Sequence, residues 1–580
     1  MTDFAATPTT PTAPRAHGAT PRGLLSTAGS STETGRFGRM FRHVPVFSVE
    51  PASLAVLAAS IIQALDEKDA QGHLLLDKPL GQVDDDENTS RLSNGELRLP
   101  AGYTYFGQFV DHDITFDPVS SLQRQNDPDA LVDFRTPRFD LDSVYGRGPD
   151  DEPFRYDAVG LKLLEGPERG PDGRKDLPRA GNDRAIIGDP RNDENLLVSQ
   201  LEATFLRFHN RMVDWVAANE SPFVANPADH FKRAQQLVRW HYQWVVVQDF
   251  LRRIAGDDPF QPANGVVADI LRPEAYQAGG GQAHVTRAKL LFYHTHREPY
   301  MPVEFSVAAY RYGHSMVRPS YHINTFLLGI FSTPRDLPGS SPNPGTKVNR
   351  IPIFTRTGGL LENLNGFRQL PANWGVDWSF LLHLGNANPD LPQPSYKIDT
   401  LLSHPLGGLP DSVAKPELLV PGFPPEIAVS LAFRNLLRGL RLGLPAGEDV
   451  ADAMGIAPNP GIVIDGNALK SALNAGIGVT QAQIDAAVKD FGGRSPLWYY
   501  ILKEAEIAAG GKGNAVNGAH LGAVGGRIVA EVLIGLLAGD PLSFLSVQPD
   551  WEPFLPRRDK KTSGPYTLAD LVAFATSLVG

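Results

Sequence analysis

The chain has 580 residues, enough for several ordinary domains or one unusually large one. Hydrophobic residues make up 42% and charged residues 21%, the balance of a soluble globular protein. A net charge of −11 argues against a nucleic-acid partner or a basic membrane patch, and the absence of cysteine excludes disulfides, zinc–thiolate sites, iron–sulfur clusters and thiolate-ligated iron.

Residues 1–35 are rich in Thr, Ala, Pro, Ser and Gly and lack an apolar run. They are expected to form a disordered tail rather than a Sec signal peptide, with ordered chain beginning at Arg36. Residues 52–65 spell an apolar helix and 84–88 an acidic turn. Next, Tyr103, Tyr105, Phe106, Phe109, Val110, Ile114 and Phe116 frame what reads as a buried helix. Within it Gln108, Asp111 and His112 stand at i, i+3 and i+4 and so share one face, while Asp113 points about a quarter turn away. An amide, a carboxylate and an imidazole on a buried face are costly unless they are used. The plainer alternative is a hydrogen-bonded core histidine with two capping aspartates.

Residues 136–146 are too polar for a core strand and too poor in glycine for a phosphate loop. Thr136, Asp140 and Asp142 alternate, so extended backbone would put them on one side, where the Arg138 carbonyl can join them. Hydroxyl, carbonyl and carboxylate oxygens suit Ca²⁺, although the spacing is not that of an EF-hand and an Asp-rich surface turn would look the same. Residues 149–178 read as surface loops. Residues 188–195 open a long helix to about 219, striped by Leu196, Leu197, Leu201, Phe205 and Phe208. Arg191 and Glu194 stand at i, i+3 near its start, which a surface ion pair would also explain.

A second long helix is expected over 227–256, with His241 in its core face. His294 and His296 have the spacing of a metal-binding strand pair, but no third ligand is near in sequence. A helix over 306–314 carries Arg311 and His314 at i, i+3. Residues 332–425 are dense in Pro and Gly and read as loops, with short helices at 378–384 and 397–402. Further helices are expected over 429–441, bearing Asn435 and Arg438, then 480–491 behind a Thr480/Gln483 capping box, 495–509, 521–538 and 567–579. The apolar run at 521–537 is broken by Arg527 and Glu531, so no transmembrane span is expected. There is no alternating βα pattern and no internal repeat. The reading is mainly α with long loops and little β.

Five segments in this order resemble the animal-type haem peroxidases of the peroxidase–cyclooxygenase superfamily, in a bacterial-type form. They are residues 107–113, residues 136–146, residues 188–194 with 205–211, residues 311–314, and residues 435–438 with 443–445. The resemblance spans roughly 36–556 and implies one large helical domain around a buried haem b. Carried over residue by residue, His112 looks like the distal histidine, Gln108 like its neighbouring amide and Arg191 like the distal arginine. His314 resembles the proximal iron ligand, Asn435 its hydrogen-bond partner and Arg311 a haem-propionate contact. Asp113, Thr136, Arg138, Asp140 and Asp142 match the calcium site. Asp111 and Glu194 match the carboxylates that form ester links to haem.

The implied function is a haem peroxidase, active in the response to oxidative stress, that reduces H2O2 through an oxoferryl intermediate and oxidises halides, phenols or other small donors. The alternative on the same scaffold is a fatty-acid dioxygenase. That activity places a radical-forming tyrosine three residues before the proximal histidine, where this chain has Arg311; Tyr310 and Tyr312 flank it, and on a helix neither is expected to point the required way. Asn195 stands where some members carry a methionine that bonds to haem, and asparagine cannot form that link. The lack of cysteine and of a Sec signal fits a protein that is cytoplasmic or exported by another route.

Overall fold

The computed structural model describes residues 37–62, 87–115, 137–170, 173–220, 225–278, 281–295, 299–325, 327, 335–336, 347–348, 351–355, 363–385, 390–410, 419–475, 477–507, 517–558 and 564–576. The expected N-terminal tail, Thr136 and His296 lie outside them.

Helices carry the fold. α1 (Pro51–Ile61) starts at a proline, whose missing N–H is no loss in a first turn. α2 (Gly102–Ile114) is the helix of Gln108 and His112. A short α3 (Asp142–Tyr145) follows. α4 (Leu196–Asn219) and α5 (Pro227–Trp244) are the two long helices, each opened by an asparagine whose side chain accepts a backbone N–H of the first turn. α5 runs through a π-helical turn, Val245–Phe250, into α6 (Leu251–Ile254). After α7 (Val266–Ile270), α8 (Leu431–Arg441) carries Asn435. Then come α9 (Gly447–Ala453), α10 (Gln481–Phe491), α11 (Leu497–Ile507), α12 (Ala523–Gly539), α13 (Phe544–Val547) and α14 (Leu568–Ala575). The Thr480/Gln483 capping box is formed, and Thr567 with Asp570 makes a second one at α14.

Among the described residues strands are few and pair only two by two. β1 (Phe37–Gly38) runs parallel to β4 (Met301–Pro302), and β2 (Leu271–Ala278) pairs antiparallel with β3 (Gly281–Ala288). β5 (Ser320–Tyr321) pairs with β8 (Ile351–Pro352), and β6 (Arg335–Asp336) with β7 (Lys347–Val348). The hairpin of β2 and β3 was not legible in the sequence.

Four local expectations are corrected. The segment expected as an α-helix over 306–314 is π-helical at Glu304–Ala308 and 3-10-helical at Ala309–His314. Residues 397–402 form bends, not a helix, and are tied by Leu402 N donating to Ile61 O and Thr400 Oγ1 to the Glu506 carboxylate. The backbone around Asp140 and Asp142 is not extended, because Leu141 between them has φ 53° and Asp142 begins α3. His294 is exposed on irregular chain, not in a strand.

One buried apolar cluster runs from Phe37 to Ala575. At its centre α2 is clamped by aromatic rings: Phe109 stacks on Phe205 of α4 at 4.5 Å and meets Tyr242 of α5 edge-on, and Phe106 meets both Tyr242 and Phe250. Each such ring pair contributes roughly 0.5–1.5 kcal/mol beyond its burial, so the helix bearing His112 is held on several sides. Among the described residues no helix is long and apolar enough to cross a membrane.

Candidate active site

A cavity of about 400 Å³ opens between α2, the start of α4, the 3-10 segment and α8. Its wall contains all eight residues singled out from the sequence for catalysis or cofactor binding: Gln108, Asp111, His112, Arg191, Glu194, Arg311, His314 and Asn435. They come from positions up to 327 residues apart in the chain, from Gln108 to Asn435, so only the fold brings them together. An apolar flank is supplied by Met316, Val317, Ile353, Leu406, Leu409 and Leu431.

The loop before α4 is built to present side chains inward. Asp189 accepts the backbone N–H of Arg191 at 2.9 Å and also pairs with its guanidinium at 2.8 Å. Arg179 holds buried Asp193 through two bonds of 2.6 and 2.7 Å. Two glycines allow the close approach this loop needs. A Cβ on Gly188 would strike the Ser143 carbonyl, and one on Gly366 would strike the Asp193 carbonyl. Arg191 reaches across to α2, donating to the carbonyls of His112 (2.9 Å) and Thr115 (2.5 Å) at its C-terminal end, where the helix dipole welcomes a cation.

His112 is buried, and its Nδ1 lies 2.7 Å from Asn192 Oδ1. Burial, with Arg191 nearby, lowers its pKa to about 4, so the ring is neutral at physiological pH and able to accept a proton. Asn195 accepts Val198 N–H at 2.9 Å as the cap of α4 and donates to Gln108 Oε1 at 3.1 Å. The other end of the Gln108 amide donates to Glu194 Oε1. Burial pushes the Glu194 carboxyl up to about 7. Asp111 lies close enough to Arg311 to oppose the lowering of the arginine's pKa by burial.

His314 sits at the end of the 3-10 segment, with its Nδ1 at 2.7 Å from Asn435 Nδ2. Burial, reinforced by Arg311, lowers its pKa to about 3. An amide can present oxygen or nitrogen to the ring by a half-turn. With oxygen toward Nδ1, that nitrogen carries the proton and the Nε2 lone pair is left for a metal. Arg311 is tethered by Nε to Ser306 O at 3.0 Å.

On the other side of α2, Asp113, Asp140 and Asp142 bring carboxylate oxygens within 4.8 Å of one another. The left-handed turn at Leu141 achieves this convergence. Leu141 N and Ser143 Oγ both donate to Asp113, each at 3.3 Å. Arg138 lies half-buried in the bend two residues before Asp140. His241 is a core residue as expected, bonded to Leu237 O at 2.7 Å and ringed by Phe208, Trp551, Phe554 and Tyr566.

Sequence reasoning missed Asn192, Glu202 and the cap role of Asn195. It also expected the two tyrosines beside Arg311 to point elsewhere, yet Tyr310 and Tyr312 both line the cavity, because the segment is 3-10 rather than α. Tyr310 donates from its hydroxyl to Gly107 O at 3.3 Å. Asn195 carried a signal, since a polar residue before an apolar helical stripe is a cap. Asn192 carried none.

Residues 120–333 match the family model described as animal haem peroxidase. No curated protein sequence matches the chain. Solved structures with a similar fold include peroxidase A from Dictyostelium discoideum, at 13% identity and TM-score 0.52, covering 94% of this chain and 93% of that one. The fatty acid alpha-dioxygenase of Oryza sativa has 14% identity and TM-score 0.55, covering 97% and 84%. That of Arabidopsis thaliana has 12% identity and TM-score 0.51, covering 94% and 76%. Residues 120–333 thus carry an animal haem peroxidase signature, and the chain shares its fold with these solved structures.

Proposed function

We propose that the protein is a haem peroxidase that uses H2O2 to oxidise halides, phenols or other small donors. The observation that carries this reading is the meeting, in one cavity, of two neutral histidines with different partners. One is His112, backed by Asn192 and accompanied by Arg191 and Gln108. The other is His314, backed by Asn435. Haem binding alone requires neither His112 nor Arg191.

The residues fit haem b. His314 is an uncharged imidazole with one nitrogen engaged, the donor that iron takes in histidine-ligated haems. The cavity has apolar walls for a macrocycle, and Arg311, Arg434 and Arg438 on its wall suit carboxylate groups. When bound, haem would supply an iron that coordinates peroxide and accepts two oxidising equivalents. The chain's own groups would do the rest. His112 Nε2 would take a proton from one peroxide oxygen and return it to the other as water leaves. Arg191, rigidly held by Asp189, would stabilise negative charge that develops as the O–O bond breaks. Asn435, with its amide turned to place the oxygen on Nδ1, would be a neutral acceptor that holds His314 in orientation while leaving it less anionic than a carboxylate would. Asp111 and Glu194, both on the cavity wall, are proposed as sites of ester links to the haem.

Asp113, Asp140 and Asp142 are proposed to bind Ca²⁺ together with Thr136 and the Arg138 carbonyl. Asp113 and Asp142 are buried, and three carboxylates this close repel one another unless a cation sits among them. Because Asp113 adjoins His112, the ion would brace the helix that carries the base.

A fatty-acid dioxygenase is the second reading. It is supported by Tyr310 and Tyr312 on the cavity wall and by the apolar flank that could receive an acyl chain. The test is the absorption spectrum of haem-loaded protein before and after one equivalent of H2O2, followed by a phenol. A ferric spectrum that changes with peroxide and returns with phenol supports the peroxidase. Oxygen uptake with linoleate and no added donor, without a peroxide response, supports the dioxygenase. Protein that takes up no haem refutes both.

A further inference from the structure

We propose that Asn192 and Glu202 are positioning residues for the base of the peroxide reaction: Glu202 fixes the direction of the Asn192 amide, and the amide fixes His112 as the Nδ1–H tautomer. The inference rests on the peroxidase reading for its consequence, but its geometry is independent of it.

Asn192 Nδ2 donates to Glu202 Oε2 at 2.9 Å, and Asn192 Oδ1 lies 2.7 Å from His112 Nδ1. Asn192 and Glu202 are both fully buried. An ionised carboxylate only accepts hydrogen bonds, so with Glu202 ionised the amide turns its NH2 to it, the arrangement seen here. Its oxygen is thereby turned to the imidazole. A ring nitrogen facing a carbonyl oxygen at this distance must carry the proton, because two acceptors would otherwise confront each other with no water between them. Nε2 is then the nitrogen with the free lone pair. A histidine in the other tautomer would offer a donor where the reaction needs an acceptor.

Among the described residues no other side chain is seen to hydrogen-bond the ring. Arg191 bonds the backbone carbonyl of His112 and not its side chain. Glu202 lies ten residues after Asn192, on the second turn of α4, so the contact depends on the chain turning from the 3-10 loop into that helix. Elsewhere on this loop Arg179 holds the Asp193 carboxylate and Asp189 the Arg191 backbone, and neither bonds the ring.

The experiment is ¹⁵N NMR of histidine-labelled full-length protein, with haem in its diamagnetic ferrous carbonyl form, and His112→Gln to assign the signal. It is paired with the rate at which the ferric protein reacts with peroxide. Wild type is expected to show Nδ1 protonated and Nε2 bare. Asn192→Leu removes the acceptor, and the peroxide rate is expected to fall by about 10²-fold, within the range for a misplaced general base. The double variant Asn192→Asp with Glu202→Gln exchanges donor and acceptor within the pair while leaving an oxygen facing His112. It is expected to restore both the tautomer and most of the rate, which a role in packing alone would not predict. The proposal is overturned if wild-type His112 carries its proton on Nε2. It is overturned equally if Asn192→Leu keeps the wild-type tautomer and rate, or if the folded double variant behaves like Asn192→Leu. Wild type with the expected tautomer but no response to peroxide refutes the peroxidase reading while supporting the positioning of the ring.

Discussion

Replacing Asn195 by methionine should destabilise the protein through two separable losses. The side chain does two things at once: Oδ1 caps α4 through Val198 N–H, and Nδ2 donates to Gln108 Oε1. Loss of an asparagine cap costs about 1 kcal/mol. Loss of a buried hydrogen bond costs about another 1 kcal/mol, more if the Gln108 oxygen is left unsatisfied. Asn195→Met should therefore cost about 2 kcal/mol or somewhat more, and Asn195→Ser, which keeps an oxygen at the cap, about half of that. Urea denaturation of the haem-free protein, followed by tryptophan fluorescence, measures both. Repeating the series on a Gln108→Leu background isolates the second loss, because the cap is then the sole difference. Equal stability of Asn195→Met and wild type would refute the account. So would a serine variant as unstable as the methionine one, since the cap would then contribute nothing.

Other consequences can be checked with the same material. Chelating calcium should lower stability by about 2.7 kcal/mol if the ion is present at one hundred times its Kd, and Asp142→Asn should remove that difference; calorimetry with and without chelator reads it. His209 and His241 are fully buried, and burial lowers each pKa from 6.5 to about 4. Each contribution is whole above pH 6.5 and is lost as pH falls through 4, by about 3 kcal/mol per group. Stability should therefore decline steeply below pH 6, and His241→Gln should flatten the decline; an unchanged pH profile would count against it. Glu194 runs the other way, raised from 4.5 to about 7, so its contribution is whole below 4.5 and lost as pH rises through 7. Finally, after exposure to peroxide, haem should resist denaturing solvent extraction in wild type and be released more readily from Glu194→Gln; free release from wild type would exclude the ester links.

The long helices were legible because they rest on local patterns, and most of the candidate site because five segments in order resemble a known family. The apolar stripe of Leu196, Leu197, Leu201, Phe205 and Phe208 lies inside α4, and the Thr480 capping box opens α10 where expected. What failed depends on contacts distant in sequence. The strand from Leu271 to Ala278 contains Pro273 and lacks β-branched residues, so pairing with its neighbour decides its conformation rather than propensity. Asn192 and Glu202 carry no periodic relation, since a change of helix type falls between them. The loop at Asp140 was read with carboxylates that the fold does bring together but with the wrong backbone, because the left-handed residue is Leu141, a side chain that gives no hint of it.

The same lesson bears on the choice between peroxidase and dioxygenase. Treating 306–314 as an α-helix turned both tyrosines away from the site, and their presence on the cavity wall removes that argument. A stronger one takes its place. In a 3-10 helix three residues make a turn, so i and i+3 are eclipsed. The side chain in line with His314 is therefore Arg311, with Tyr310 and Tyr312 to either side. A guanidinium is a permanent cation, with no hydrogen atom it can surrender to become a stable oxidant. Tyr310 has an apt ring, but its hydroxyl is committed to Gly107 O, and burial raises its pKa, which opposes loss of the proton to water. If Tyr310 nevertheless carried a dioxygenase activity, Tyr310→Phe would abolish oxygen uptake with linoleate while leaving phenol oxidation intact. On the peroxidase reading, wild type and Tyr310→Phe should be alike in showing no such uptake and should oxidise phenol at similar rates.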